Sequence, residues 1–335
     1  MSESMVRPNE DFGRDHGLIH EAVVTGRKVG AGQEFWAKLA HSKSLFRKVV
    51  ELVDQNDLKP ATNQKPVREV KKFVLDKTGR LIPSKNLQAA VCASDKNFYL
   101  VQPKLKNVAD YADRLIRFQK AFKPGPIMSV AEFEGKSREL IAEIGENKDL
   151  ANLLKGVYLP IVLPKLKNFS DYGQTLEQIF LPAVKLAYEK QFPGRKFVNH
   201  RENDLAKKVS IIPESRHNEL VAKMEKGIVV ALYFPNPLSG FSVLAAREQM
   251  AFLPKGLMLA GGFDAMTAQT MYPDILARDF HTPGYDLSAL SWQSPDYSLY
   301  LVALDGEVHF ARRGGLGGAF GSYSSGWLFF GSAAA

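Results

Sequence analysis

The sequence predicts an α+β protein: a mixed α/β accessory region followed by a C-terminal, sheet-rich domain. Three observations carry that expectation. Apolar residues recur at helical spacing over 34–54, 108–122, 129–144, 175–191 and 214–226. Short apolar runs of strand length, 157–163 and 228–234, are interleaved with the later helices. Three short alternating or apolar runs, 298–304, 306–310 and 326–330, close the chain.

Length and composition bound the answer first. A chain of 335 residues is long enough for two domains with real cores. No apolar run is long enough to span a bilayer. Residues 1–21 are polar and charged with no apolar stretch of signal-peptide type. The expected location is therefore cytoplasmic, or outside by a route without a recognisable signal peptide. A single cysteine, Cys92, excludes an intramolecular disulfide and a cysteine-built zinc site. The net charge of +8 comes mostly from the first two thirds, through Lys71, Lys72, Lys104, Lys106, Lys165, Lys167, Lys207 and Lys208. These lysines are dispersed among acids, which predicts a solvated surface; nucleic acid remains an alternative partner.

In chain order, residues 1–14 read as a polar, mobile terminus and 15–150 as the accessory region. Within it, 34–54 is an amphipathic helix with Phe35, Leu39, Leu45, Val49 and Leu52 on its apolar side. Residues 56–66 form a polar connector with Pro60 and Pro66. Strands are expected at 67–75 and 98–101, and 86–93 is short enough to be helix or strand. A helix over 108–122 is stopped by Lys123-Pro124-Gly125-Pro126. Ser129 with Glu132 has capping-box spacing and starts the next helix.

Residues 156–331 form the second domain. The run at 157–163 contains Pro160, which predicts an edge strand. Pro182 should kink or split the helix over 175–191. Gly227 is the expected C-cap of the helix over 214–226. The continuous apolar run 228–234 suits the centre of a sheet, and 245–251 and 263–276 read as helical. Asp305-Gly306 between two alternating runs predicts a type I′ hairpin. The connection 311–325 is long and rich in Gly, Ser, Arg and aromatics, as functional or disordered loops are. Residues 332–335 read as a cloning scar.

The terminal stretch has a biased residue set. After Gln293 there is no Lys, Gln or Met up to Gly331, and Lys255 is the last lysine. Nearly every residue belongs to the set reached when the adenines of an asparagine codon are randomised. Ser291-Trp292-Gln293-Ser294, then Tyr297-Ser298-Leu299-Tyr300, then Asp305-Gly306-Glu307-Val308, resembles the end of a C-type lectin-like (formylglycine-generating-enzyme-like) domain. More narrowly, the stretch resembles the variable proteins of diversity-generating retroelements, and Arg313-Gly314-Gly315 is similar to a run many of them carry. The family's closing Gly-Phe-Arg is absent, since Gly326 is followed by Trp327 and Leu328. The likeness is best from Ser215 onward.

That resemblance implies a non-enzymatic, cofactor-free binding protein whose hypervariable face touches macromolecules, chiefly proteins. The implied ligand-binding residues are Val302, Leu304, His309, Arg312, Arg313, Phe320 and Ser322. Trp292, Leu299, Phe310, Tyr323, Trp327 and Phe329 would be framework. Aromatics, small residues and forked arginine donors are the ingredients of a paratope.

Other chemistries find less support. Cys92 could serve a hydrolase with His200 or His217, but Ala89-Ala90-Val91 supplies no local activation. His200, His217, His281 and His309 lack metal-ligand spacing. Pro235-Asn236-Pro237 lacks the acidic ligand of a calcium-dependent sugar site. The glycines at 314–318 lack the Lys-Ser/Thr ending of a phosphate loop.

Overall fold

Val229–Phe234 (β4) is apolar on both sides because both sides are covered. In this computed structural model it pairs antiparallel with Leu159–Leu163 (β1) and with Trp327–Phe329 (β11), and Leu257–Leu259 (β5) completes the order β1-β4-β11-β5. Ala231, Tyr233, Leu328 and Met258 enter one core cluster. Their neighbours Leu232, Phe234, Trp327, Phe329, Leu257 and Leu259 enter a second. The expected edge position of Pro160 holds: β1 has a partner on one side only. Its carbonyl instead accepts from the Tyr272 hydroxyl at 2.7 Å.

The structure describes residues 32–45, 47–48, 73–123, 128–254 and 256–331. The terminus 1–14, the connector 56–66, the strand start at 67–72 with Lys71 and Lys72, the stop at 124–126 and the scar at 332–335 lie outside them. The chain divides into two compact units, Met1–Arg68 and Glu69–Ala335. In the first, the part of the helix expected over 34–54 that is described is Gln33–His41 (α1), closed by an extended Ser42, with further helical residues at 43–45 and 47–48; residues 46 and 49–54 lie outside the described residues.

The second unit begins well before residue 156, so the boundary expected at 150–156 is not where the structure divides. Val108–Phe122 (α2) and Val130–Glu146 (α3) bury Tyr111, Leu115, Phe118 and Phe133 in the first core, and Ile144 in the second. Asn107 and Asp110 form a full capping box on α2. Ser129 caps α3 through the Glu132 amide at 3.1 Å, while the Glu132 carboxylate pairs with Lys136 instead.

Residues 73–105 form an arm laid along the unit, and the strands expected at 67–75 and 98–101 do not appear among its described residues. Leu75 bridges only Leu81, and Val91 only Phe241. The arm's backbone finds its partners in loops: Leu81 donates to Pro237, Cys92 to Gly240, Asp95 to Gly321 and Tyr99 to His281. Segment 86–93 is accordingly neither helix nor ladder strand.

The expected break at Pro182 takes a definite form. Tyr172–Thr175 (α4) runs into a π turn at Leu176–Phe180, and Leu181–Gln191 (α5) follows. Proline cannot donate to the preceding turn, and the wider turn accommodates its ring. His217–Lys226 (α6) starts later than expected, after a left-handed Arg216 whose guanidinium binds the carbonyls of Met250, Leu253, Pro254 and Leu257. Gly227 ends it with extended rather than left-handed backbone. Val243–Gln249 (α7), Gly262–Met271 (α8) and Pro273–Leu276 (α9) follow, α8 buried all round. Among the described residues no helix is long and apolar enough to cross a membrane.

Candidate ligand-binding face

A second sheet displays the residues of interest. Its order is β10 (Tyr323–Ser325), β6 (Gly284–Asp286), β8 (Ser298–Leu304), β9 (Glu307–Arg313) and β2 (Lys196–Asn199). The β8–β9 hairpin is present at the expected place. Gly306 has φ 76°, whereas Asp305 is not among the positive-φ residues, so the turn is not type I′.

Register sorts the side chains. Val302 faces His309 across the ladder, Leu304 faces Glu307 and Ser298 faces Arg313. Leu299, Leu301, Ala303, Val308 and Phe310 point into the core and are buried. The outward side carries Tyr300, Val302, Leu304, His309 and Arg313, with Tyr323 on β10. Leu304 and Phe320 are 38% and 49% exposed. Arg312 is a correction: adjacent strand residues point oppositely, so it leaves this face. It lies on the other side, exposed, with its guanidinium 4.7 Å from the Tyr297 ring and 5.9 Å from Trp292.

Arg313 is held rather than free. Its Nε is 3.3 Å from the Asp286 carboxylate, and Tyr323, Phe320 and Tyr300 surround its guanidinium at 4.5, 4.7 and 5.9 Å. The Arg313–Asp286 contact is an ion pair off hydrogen-bond alignment; neither Asp286 oxygen has a hydrogen-bond partner. Burial pushes the Asp286 carboxyl up to about 6, with Arg313 opposing the rise. Burial, reinforced by Tyr300, also pushes the Tyr323 hydroxyl up to about 12.

The connection 314–322 is ordered through its backbone. Leu316 is buried and its carbonyl accepts from Leu244. The Ser322 carbonyl accepts from Gly284, which ties the predicted Ser322 to the face. A Cβ on Gly321 would sit 2.6 Å from the Ala93 carbonyl, so the arm and the loop can meet only at glycine. After β10 the chain leaves this sheet, and β11 enters the centre of the other. The three terminal runs therefore do not form one sheet. Of the expected framework residues, Trp292, Leu299, Phe310, Trp327 and Phe329 are buried; Tyr323 is half-buried and shares the face.

The histidines divide by role. His309 Nε2 meets Glu307 at 2.9 Å and its Nδ1 meets His200 Nε2 at 2.8 Å. The carboxylate fixes the tautomer: His309 donates to Glu307 and accepts from His200. His217 is buried against Tyr172, whose hydroxyl accepts from the Gly262 and Phe263 amides and so donates to His217 Nε2. Burial depresses His217 to about 3 and lifts Asp264, at the same helix start, to about 7. His281 is exposed. No group of three or more His, Cys, Asp or Glu able to hold a metal occurs among the described residues. Cys92 is half-buried, and among the described residues no histidine hydrogen-bonds to it; its carbonyl accepts from Arg80 at 2.8 Å.

Tyr300 and Asp286 were not expected at this face, and His200 was weighed only as a partner for Cys92 and as a metal ligand. Period two from Val302 and Leu304 would have found Tyr300; nothing local marks the other two. Compared with protein-family models, curated proteins and solved structures, the chain finds no match in any of the three.

Proposed function

We propose that this is a non-enzymatic ligand-binding protein whose outward sheet face, on a C-type lectin-like framework, is diversified by a retroelement to touch variable macromolecular targets, chiefly proteins. One observation carries the reading. Within the biased terminal stretch, residues alternate between a packed side and an open side, and Tyr300, Val302, Leu304, His309 and Phe320 gather on the open one. Exchange there leaves the core untouched. Arg313 and Asp286 act beneath it as framework, holding Phe320 and Tyr323 in place. The return of the chain to one sheet through β1, β4 and β11, with α5 and α6 between β1 and β4, supports the lectin-like framework. A specific complex on such a face buries about 800 Å² per partner, with a few aromatic anchors dominating.

The reading is tested by displaying a library randomised at Tyr300, Val302, Leu304, His309 and Phe320 together. Most members should unfold cooperatively near the parent's midpoint, and selection should return binders to unrelated proteins. A library at Leu299, Leu301, Val308 and Phe310 should not fold. The encoding locus should also hold a near-copy of the DNA for residues 286–330, with adenines at the substituted codons, beside a reverse transcriptase gene. Collapse of the first library, or a locus with neither feature, would sink the proposal.

A further inference from the structure

A seam between two helices carries a second surface, independent of the sheet face. α2 and α5 run antiparallel: Phe122, at the end of α2, stacks edge-on with Phe180, just before α5, at 5.3 Å. Two hollows lie along this seam. One, of about 310 Å³, is lined by Ile116, Lys120, Ala121, Leu186, Ala187 and Lys190, among others. The second, of about 340 Å³, is lined by Phe122, Lys123, Lys165, Lys167, Ile179 and Ile228, among others. Ile116, Lys120 and Lys123 follow one another at i, i+4 and i+7, so they share one side of α2 and its cap.

The floor is apolar and open. Ile116, Ile179 and Leu186 are 42%, 43% and 48% exposed, large aliphatic side chains that nothing among the described residues covers. The rim is basic. Lys120, Lys123, Lys165, Lys167 and Lys190 are all exposed, and none forms an ion pair among the described residues. The acid at the seam, Asp113, is already engaged by Arg117 at 3.0 Å, and Arg117 also binds Asp274 at 3.1 Å. From Ile179 to Lys190 the helical path is about 17 Å at 1.5 Å per residue, the length of a three-turn helix.

We propose that this seam docks an acidic amphipathic helix of a partner protein. Apolar residues at i, i+3/i+4 and i+7 of that helix would cover Ile116, Ile179 and Leu186, and its flanking carboxylates would meet the five lysines. The charge is complementary and otherwise unanswered, and the floor offers aliphatic rather than flat aromatic side chains. The latter disfavours single-stranded nucleic acid, which needs stacking platforms. The concave, two-helix shape suits a rod rather than a bilayer surface. The lysines lie outside the terminal stretch with the biased residue set, so this partner would be constant whatever the sheet face carries.

The full chain would be titrated against a fluorescent sixteen-residue helical peptide with a leucine stripe flanked by glutamates. A second peptide carrying lysine in place of glutamate, a twenty-nucleotide single-stranded DNA and anionic phosphatidylserine vesicles are the comparison probes. The acidic peptide should bind, slow amide exchange over 114–123 and 179–190, and weaken at least tenfold in both I179E and the K123E/K165E/K167E triple variant. All of these positions are exposed, and unchanged thermal midpoints would show that the variants fold. The lysine peptide should not bind. No binding of the acidic peptide, binding unaffected by I179E, or displacement of the peptide by DNA or vesicles from the same residues would overturn the proposal.

Discussion

Asp286 is a carboxylate placed where water cannot reach it, with one cation beside it. Its folded value of about 6 lies above the 3.8 of an ordinary aspartate. The native state therefore holds its proton more tightly than the unfolded chain does between those values. The stabilisation from this group is full below pH 3.8 and is lost as pH rises through about 6, a change of ~3 kcal/mol. Arg313 limits that loss. The variant R313A should cost ~3–5 kcal/mol at pH 8, where a bare buried carboxylate remains. At pH 4.5, where Asp286 is protonated, the cost should be much smaller. Urea unfolding at both values measures the difference; equal losses would show that the ion pair contributes nothing. This places Arg313 among the supports of the face, and two consecutive arginines then have separate tasks on opposite sides of one strand.

At the level of the element, strand phase decides what can vary. Leu301 is fully enclosed and Val302, its neighbour, is on the open side. L301D should abolish cooperative folding or cost more than ~4 kcal/mol, because it strands a charge in the core. V302D should change stability by less than ~1 kcal/mol. Matched losses would mean that β8 has no open side. The hairpin was legible in the sequence because alternation and Asp305-Gly306 are local signals. So were the centre strand β4, from its unbroken apolar run, and the break at Pro182, from the missing donor. The arm was not legible, because its hydrogen-bond partners are loop carbonyls such as Pro237, Gly240 and Gly321, remote in sequence and without periodicity. β11 was read as a strand, but its insertion between β4 and β5 depends on pairing that no local pattern encodes. Only the two-residue period could have placed Arg312, and the strand's phase was open until its partners were known.

The whole second unit is organised by a sheet buried on both sides, and its two faces are covered by different parts of the chain. One face lies under α2, the π turn, α5 and α8, whose Leu115, Phe180, Val184 and Phe263 belong to the first core. The other is covered in part from before residue 156: Leu75, Leu81, Ile144, Leu150 and Leu153 are buried there beside Leu238, Phe241, Met250 and Leu253, with Phe73, Leu87 and Val91 packed alongside. Each fully buried aliphatic side chain contributes about 1.5–3 kcal/mol. Five of them together rival the 5–15 kcal/mol that holds a typical domain folded. A fragment spanning 69–331 retains both covers and should unfold in one cooperative thermal transition. A fragment spanning 156–331 keeps every strand of both sheets but bares part of Leu232, Phe234, Trp327 and Phe329. It should show no cooperative transition, bind a hydrophobic dye and aggregate. If the shorter fragment instead melts cooperatively at the longer one's midpoint, the arm and α3 are appendages, and the second sheet rests on a smaller framework than the two-sided sheet requires.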